Sequence, residues 1–100
     1  MVVIWTKTAK TQLRDFSENS HYGKVREYIE EMVKYVSTLE DFEKLGMKFG
    51  TYNTKQVRQL IYKKHRIFYY ISSDRVFILS VINMAQDLTE VNRLLNQLLK

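Results

Sequence analysis

The sequence predicts one α+β domain, residues 1–100, in which an N-terminal strand, a helical hairpin, a three-stranded antiparallel meander and a C-terminal helix surround one core. Three observations predict it. Apolar residues recur at alternating steps of three and four from Tyr22 to Leu39, the mark of a half-buried helix. Three runs rich in Val, Ile, Tyr and Phe then follow (Val57–Tyr62, Arg66–Ile71 and Val76–Ile82), joined only by Lys63-Lys64-His65 and Ser72-Ser73-Asp74. Connections that short imply antiparallel neighbours. A second helical stripe, Leu88, Val91, Leu94, Leu95 and Leu98, closes the chain.

In order, Val2-Val3-Ile4-Trp5 is a short run of strand formers, after which Thr6 or Thr8 can cap a helix carrying Ala9, Leu13 and Phe16 on one side. Asn19 to Gly23 is a polar break that turns this helix back against the next. Tyr22, Val25, Ile29, Met32, Val36 and Leu39 form the dry stripe of the second helix, with Lys24, Arg26, Glu27, Glu30, Glu31 and Lys34 on its wet side. Residues 40 to 55 are mixed and polar, with Gly46 and Gly50 permitting turns, and read as a loop with at most short structure. The run from Val76 is apolar at nearly every position, as for a strand covered on both faces, whereas the run from Arg66 mixes a charge with aromatics. Asp87-Leu88-Thr89-Glu90 fits a helix-capping pattern.

Composition bounds the function. One hundred residues suit one core, and 45% hydrophobic with 27% charged residues is ordinary for a folded domain. With no cysteine and two histidines, the chain has neither a disulfide nor a thiolate metal site, and the histidines do not make a zinc site by themselves. No metal and no small-molecule cofactor are expected. The N-terminus lacks a basic segment followed by a long apolar one, and no apolar run approaches the ~20 residues that span a bilayer, so a cytoplasmic protein without a membrane partner is expected.

The net charge is +5, and its placement says more than its total. Between residues 48 and 75 lie seven bases (Lys48, Lys55, Arg58, Lys63, Lys64, Arg66 and Arg75) against one acid, Asp74; the rest of the chain holds nine bases and ten acids. The whole positive excess therefore belongs to the meander. Clustered cations point to an anionic partner, whether nucleic acid, a ribosome or an acidic protein; the plain alternative is a solvated basic edge that discourages strand aggregation.

Ile4-Trp5-Thr6-Lys7-Thr8-Ala9 with Leu13 resembles the opening strand and helix of the RelE/ParE toxin superfamily, plasmid stabilisation proteins of type II toxin–antitoxin pairs. Val57-Arg58-Gln59-Leu60 followed by His65-Arg66-Ile67-Phe68-Tyr69 is similar to its central hairpin, and Ile78 to Asn83 followed by Gln86-Asp87 to its closing strand and exit. The resemblance implies a RelE/ParE-like fold over nearly the whole chain and growth inhibition by this basic protein. It also implies a cognate antitoxin, expected to supply an acidic amphipathic segment that contacts the hairpin and the sheet near Arg66. Members resembling this chain follow one of two routes: some cut messenger RNA on the ribosome, others inhibit DNA gyrase.

Chemistry separates the two. Attack by a ribose 2′-hydroxyl requires a base, an acid and cations for the charged phosphorane. Arg66 is the first candidate, with Arg58, His65 and Tyr70 beside it as the catalytic set; an ordinary hairpin register brings Lys55 and Lys48 near. Alternation puts Arg66, Phe68 and Tyr70 on one face and Tyr69 on the other. His65 titrates in the right range but is equally readable as an exposed histidine at a strand entry. After the last strand, where ribosome-dependent relatives carry Arg, His or Tyr, this chain has Asn83-Met84-Ala85-Gln86-Asp87. The departure favours a ParE-like toxin that acts by binding gyrase, with the ribosome-dependent endoribonuclease as the alternative. An RNA-binding module without toxicity and a degenerate toxin kept for partner binding also stand open. Trp5 and Phe16 read as core, and Tyr28 and Tyr35 as half-buried anchors.

Overall fold

The computed structural model describes all residues from Met1 to Lys100. The chain runs β1 (Val2–Trp5), α1 (Lys7–Asn19), α2 (Val25–Ser37), a 3-10 turn (Thr38–Glu40), β2 (Met47–Tyr52), β3 (Lys55–Tyr62), β4 (His65–Ser72), β5 (Arg75–Asn83) and α3 (Leu88–Leu98). The five strands form one sheet in the order β1-β5-β4-β3-β2. Strands β2 to β5 are antiparallel neighbours, and β1 lies parallel to β5. No helix is long and apolar enough to cross a membrane.

The order of elements is the one the sequence predicts, with two differences. The stretch read as a loop contains β2, so the meander has four strands rather than three. A bulge between Lys48 and Gly50 hides this strand from pattern reading: the extra residue lets Phe49 and Tyr52, three apart, pack into the same cluster, where simple alternation would separate them. The sheet is also mixed, because β1 pairs parallel to β5; four apolar residues carry no signal for strand direction.

The sheet is covered on both faces. On one lies the α1–α2 hairpin, whose Ala9, Met32 and Val36 pack with Leu60, Ile67 and Tyr69. On the other lies α3, whose Val91 and Leu95, with Leu99 just beyond it, pack with Val57, Phe68 and Ile82. The terminal helix thus docks on its own sheet. Fully burying a large apolar side chain contributes about 1.5–3 kcal/mol, and Phe68, Tyr69, Ile67 and Ile78 are all fully buried.

Local polar contacts fix the layers. The Thr6 hydroxyl accepts the Ala9 N–H at the start of α1 and donates to the Ile78 carbonyl at 2.7 Å, joining helix start to strand. Gln12 Oε1 accepts from the Val81 N–H at 2.7 Å and the Ser80 hydroxyl at 3.1 Å, next to a second register shift in the β4–β5 ladder. Asp87 caps α3 by accepting the Thr89 N–H at 2.7 Å, as its sequence pattern predicts.

Candidate functional site

Alternation along β4 distributes the candidate residues. Arg66, Phe68 and Tyr70 face α3, and His65, Ile67 and Tyr69 face the hairpin, as shown by the clusters that Phe68, Ile67 and Tyr69 join. In the neighbouring strand Ile61 stands opposite Arg66 and Gln59 opposite Phe68, while Arg58 stands opposite Tyr69.

Arg66 is half-buried on the α3 face. Its Nη1 donates to Gln59 Oε1 at 2.6 Å, and its Nε is buried with no partner. Around it are Ile82, which is buried, Ile61, 42% exposed, and Met47, 65% exposed and paired in register with Gln59. A buried N–H without an acceptor costs about 1–3 kcal/mol. This guanidinium therefore sits in an apolar frame with donor capacity open to a carboxylate or phosphate.

Arg58 has a different environment. Its Nη1 donates to the Gly46 carbonyl at 2.8 Å and more weakly to that of Lys44 at 3.5 Å. The Tyr69 hydroxyl reaches the same loop, donating to the Glu43 carbonyl and accepting the Gly46 N–H, both at 2.8 Å. Burial holds the Tyr69 phenol above its ordinary pKa. A Cβ on Gly46 would lie 2.8 Å from both the Tyr69 ring and the Gln59 carbonyl, so only glycine lets the loop seat on that hydroxyl. Arg58 and Tyr69 are anchors for residues 43–46.

His65 faces the hairpin and is 7% exposed, not the exposed histidine of a strand entry. Its ring lies 4.7 Å from that of Phe16, and its Nδ1 is 2.9 Å from the Tyr28 hydroxyl. Burial pushes its pKa below the ordinary value, so the ring is neutral near pH 7. The Tyr28 hydroxyl also accepts the Lys64 backbone N–H at 3.3 Å. These groups line a cavity of about 480 Å³ between α1, α2 and the β3–β4 turn, with Asn83 at its edge.

The seven cations do not share one surface beside Arg66. Lys48 is paired in register with Arg58 and so stands on the hairpin side. Lys55 lies over the Tyr70 ring at 5.3 Å, and Tyr70 stacks on Phe77 with 5.2 Å between ring centres. Arg75, opposite Ser72, belongs to that same end of the sheet. Lys63 and Lys64 occupy the turn at the opposite end, where Lys63 pairs with Glu31 at 3.7 Å and lies over the Tyr62 and Tyr28 rings. Strand alternation and a spread from one end of the hairpins to the other divide a charge cluster that is continuous in sequence.

The set Arg66, Arg58, His65 and Tyr70 is divided as well. Arg66 and Tyr70 share a face but lie about 13 Å apart along the strand, four residues at roughly 3.3 Å each; Arg58 and His65 belong to the other face. Beyond β5, Asn83 Oδ1 accepts the Ala85 N–H at 2.9 Å and Asp87 caps α3, so both have local structural roles. No three metal-binding side chains converge. Sequence reasoning missed Gln59 as the partner of Arg66 and missed the cavity around His65. The cavity draws on two helices, a turn and a strand end, and no local pattern announces it.

A family model described as the ParE toxin of the type II toxin-antitoxin system, parDE, matches residues 3–88. No curated protein matches the chain.

Proposed function

This chain belongs to the ParE toxin family of type II toxin–antitoxin systems, and from that premise we propose that it arrests growth by binding DNA gyrase in the cytoplasm, not by cutting RNA. One observation carries the choice: the groups that RNA cleavage would need together lie on opposite faces of the sheet. Arg66, bonded to Gln59, lies on the α3 face, while His65 is enclosed against Phe16 and Tyr28 on the hairpin face. Arg58, the second cation, is bonded to the carbonyls of Gly46 and Lys44. General acid–base catalysis works at hydrogen-bond range, and a sheet between the partners prevents it.

A toxin of this family is paired with an antitoxin. In this reading the antitoxin's acidic amphipathic segment covers Arg66, placing a carboxylate on the part of the half-buried side chain that solvent reaches and apolar side chains on Met47 and Ile61. A charge-assisted hydrogen bond to an otherwise unpaired donor is among the stronger single contacts available to a partner.

The experiment follows supercoiling by purified gyrase and the integrity of messages in a translating extract, each with the wild-type chain and with Arg66→Ala. Supercoiling should be blocked by the wild type, weakly or not at all by Arg66→Ala, and messages should stay intact. Prompt message cleavage by the wild type would sink the gyrase reading and restore the endoribonuclease.

A further inference from the structure

We infer that the cavity between α1, α2 and the β3–β4 turn is a binding site for a nucleoside monophosphate, with His65, Lys64 and Asn83 taking the phosphate and the surrounding aromatic rings taking the base. The site lies on the opposite face of the sheet from Arg66 and is independent of the gyrase reading.

The polar wall offers donors. The Tyr28 hydroxyl is 2.9 Å from His65 Nδ1 and 3.5 Å from the Tyr62 carbonyl. We assign the phenol proton to Nδ1, the shorter of its two contacts, which puts the ring's own proton on Nε2, for which no hydrogen-bond partner is present in the protein. Lys64 is fixed by its backbone, whose N–H bonds Tyr28 and whose carbonyl accepts the Met84 N–H at 2.8 Å; its exposed ammonium forms no ion pair. Asn83 uses its Oδ1 on Ala85, which leaves its amide N–H₂ as a third donor. A neutral imidazole N–H, an ammonium and an amide on residues lining one cavity are donors suited to a phosphate.

The remaining walls are flat and apolar. Phe16, Tyr22 and Tyr28 line the same cavity, and Tyr22 is 55% exposed. Base–aromatic stacking contributes about 1–3 kcal/mol per base. The volume, about 480 Å³, is that of a pocket for one small molecule. Two carboxylates lie near. Glu31 is neutralised by Lys63 and the Tyr62 hydroxyl, and Asp15 lines the adjoining cavity beyond Phe16 and His65.

The test is titration of the full chain with AMP and GMP by calorimetry, alongside adenosine and inorganic phosphate, with backbone amide NMR to locate the site. One nucleotide should bind per chain, moving the amide signals of Lys64, His65 and Asn83, while adenosine and phosphate alone bind at least about tenfold more weakly because each keeps only part of the contacts. Lys64→Glu, a change at an exposed turn that leaves the fold intact, should weaken AMP about tenfold or more. Three results overturn the inference: no saturable nucleotide binding by folded protein, phosphate alone binding as tightly as AMP, or unchanged affinity in Lys64→Glu. An acidic peptide moving those amides while AMP moves none would also overturn it, by assigning the cavity to a protein partner.

Discussion

The two faces of β4 put neighbouring residues in opposite circumstances. On the hairpin face polar groups turn inward and are bonded there: His65 Nδ1 to Tyr28, the Tyr69 hydroxyl to Glu43 and Gly46, and Arg58 of the adjacent strand to Gly46 and Lys44. On the α3 face Arg66 has one firm bond, to Gln59, and a buried Nε with none. The hairpin face shows how this chain stabilises itself. The α3 face keeps a half-buried guanidinium with a single firm bond, to Gln59, so a partner that reaches it disturbs little already made.

The apolar centre of the strand sets the energy scale. Phe68 is fully buried under α3 and packs edge-on to Phe49 at 4.8 Å. Phe68→Ala should lower stability in urea by about 3–5 kcal/mol, much of what a domain of this size has. A loss under about 1 kcal/mol would mean that α3 does not cover this face in solution, and the contrast between the faces would collapse.

Tyr69→Phe removes one oxygen and tests the hairpin side. The Glu43 carbonyl and the Gly46 N–H lose their shared partner in a site where water has little room, for an expected cost of about 1–3 kcal/mol. Amide exchange should quicken through residues 43–46 and leave α3 protected; exchange that quickens only in α3 would reverse the assignment.

His65 makes the contrast depend on pH. Burial lowers its folded pKa below the unfolded value, so in acid the unfolded chain binds its proton first. Above the unfolded value, near 6.5, both states are neutral and His65 adds no pH dependence. As pH falls from there toward the folded value, stability should decline. Urea midpoints between pH 7.5 and 5 should fall for the wild type and fall less steeply in His65→Gln; equal slopes would mean that the imidazole is solvated.

Much of this was legible in sequence, for reasons visible in particular residues. The helices announced themselves because their apolar stripes face a single layer, and Thr6 and Asp87 cap the positions their types suggest. The alternation separating Tyr69 from Tyr70 also held. Strand β2 did not show because its bulge at Lys48 to Gly50 breaks the period that identifies strands. The site was only half readable. Arg66 stood out as a charge in an apolar run, but a linear cluster of seven cations says nothing of which face each occupies, and the cavity beside His65 exists only once α1, α2 and the β3–β4 turn have met.

The smallest expected effect on stability is the one that decides what Arg66 is for. Replacing it with methionine keeps an unbranched apolar stem as far as the position of Nε, removes the unpaired N–H with the rest of the guanidinium and leaves Gln59, itself only half-buried, free to meet water. Exchanging a poorly satisfied buried charge for an apolar side chain of similar shape is often neutral or mildly stabilising. Arg66→Met should therefore unfold within about 1 kcal/mol of the wild type while losing most of the antitoxin and gyrase binding proposed above. Two residues away, Phe68→Ala should unfold far more easily. If Arg66→Met instead destabilises the fold by about 3 kcal/mol or more, the cost of breaking a needed buried charge contact, then its bond to Gln59 is structural, and the α3 face offers no docking anchor at that position.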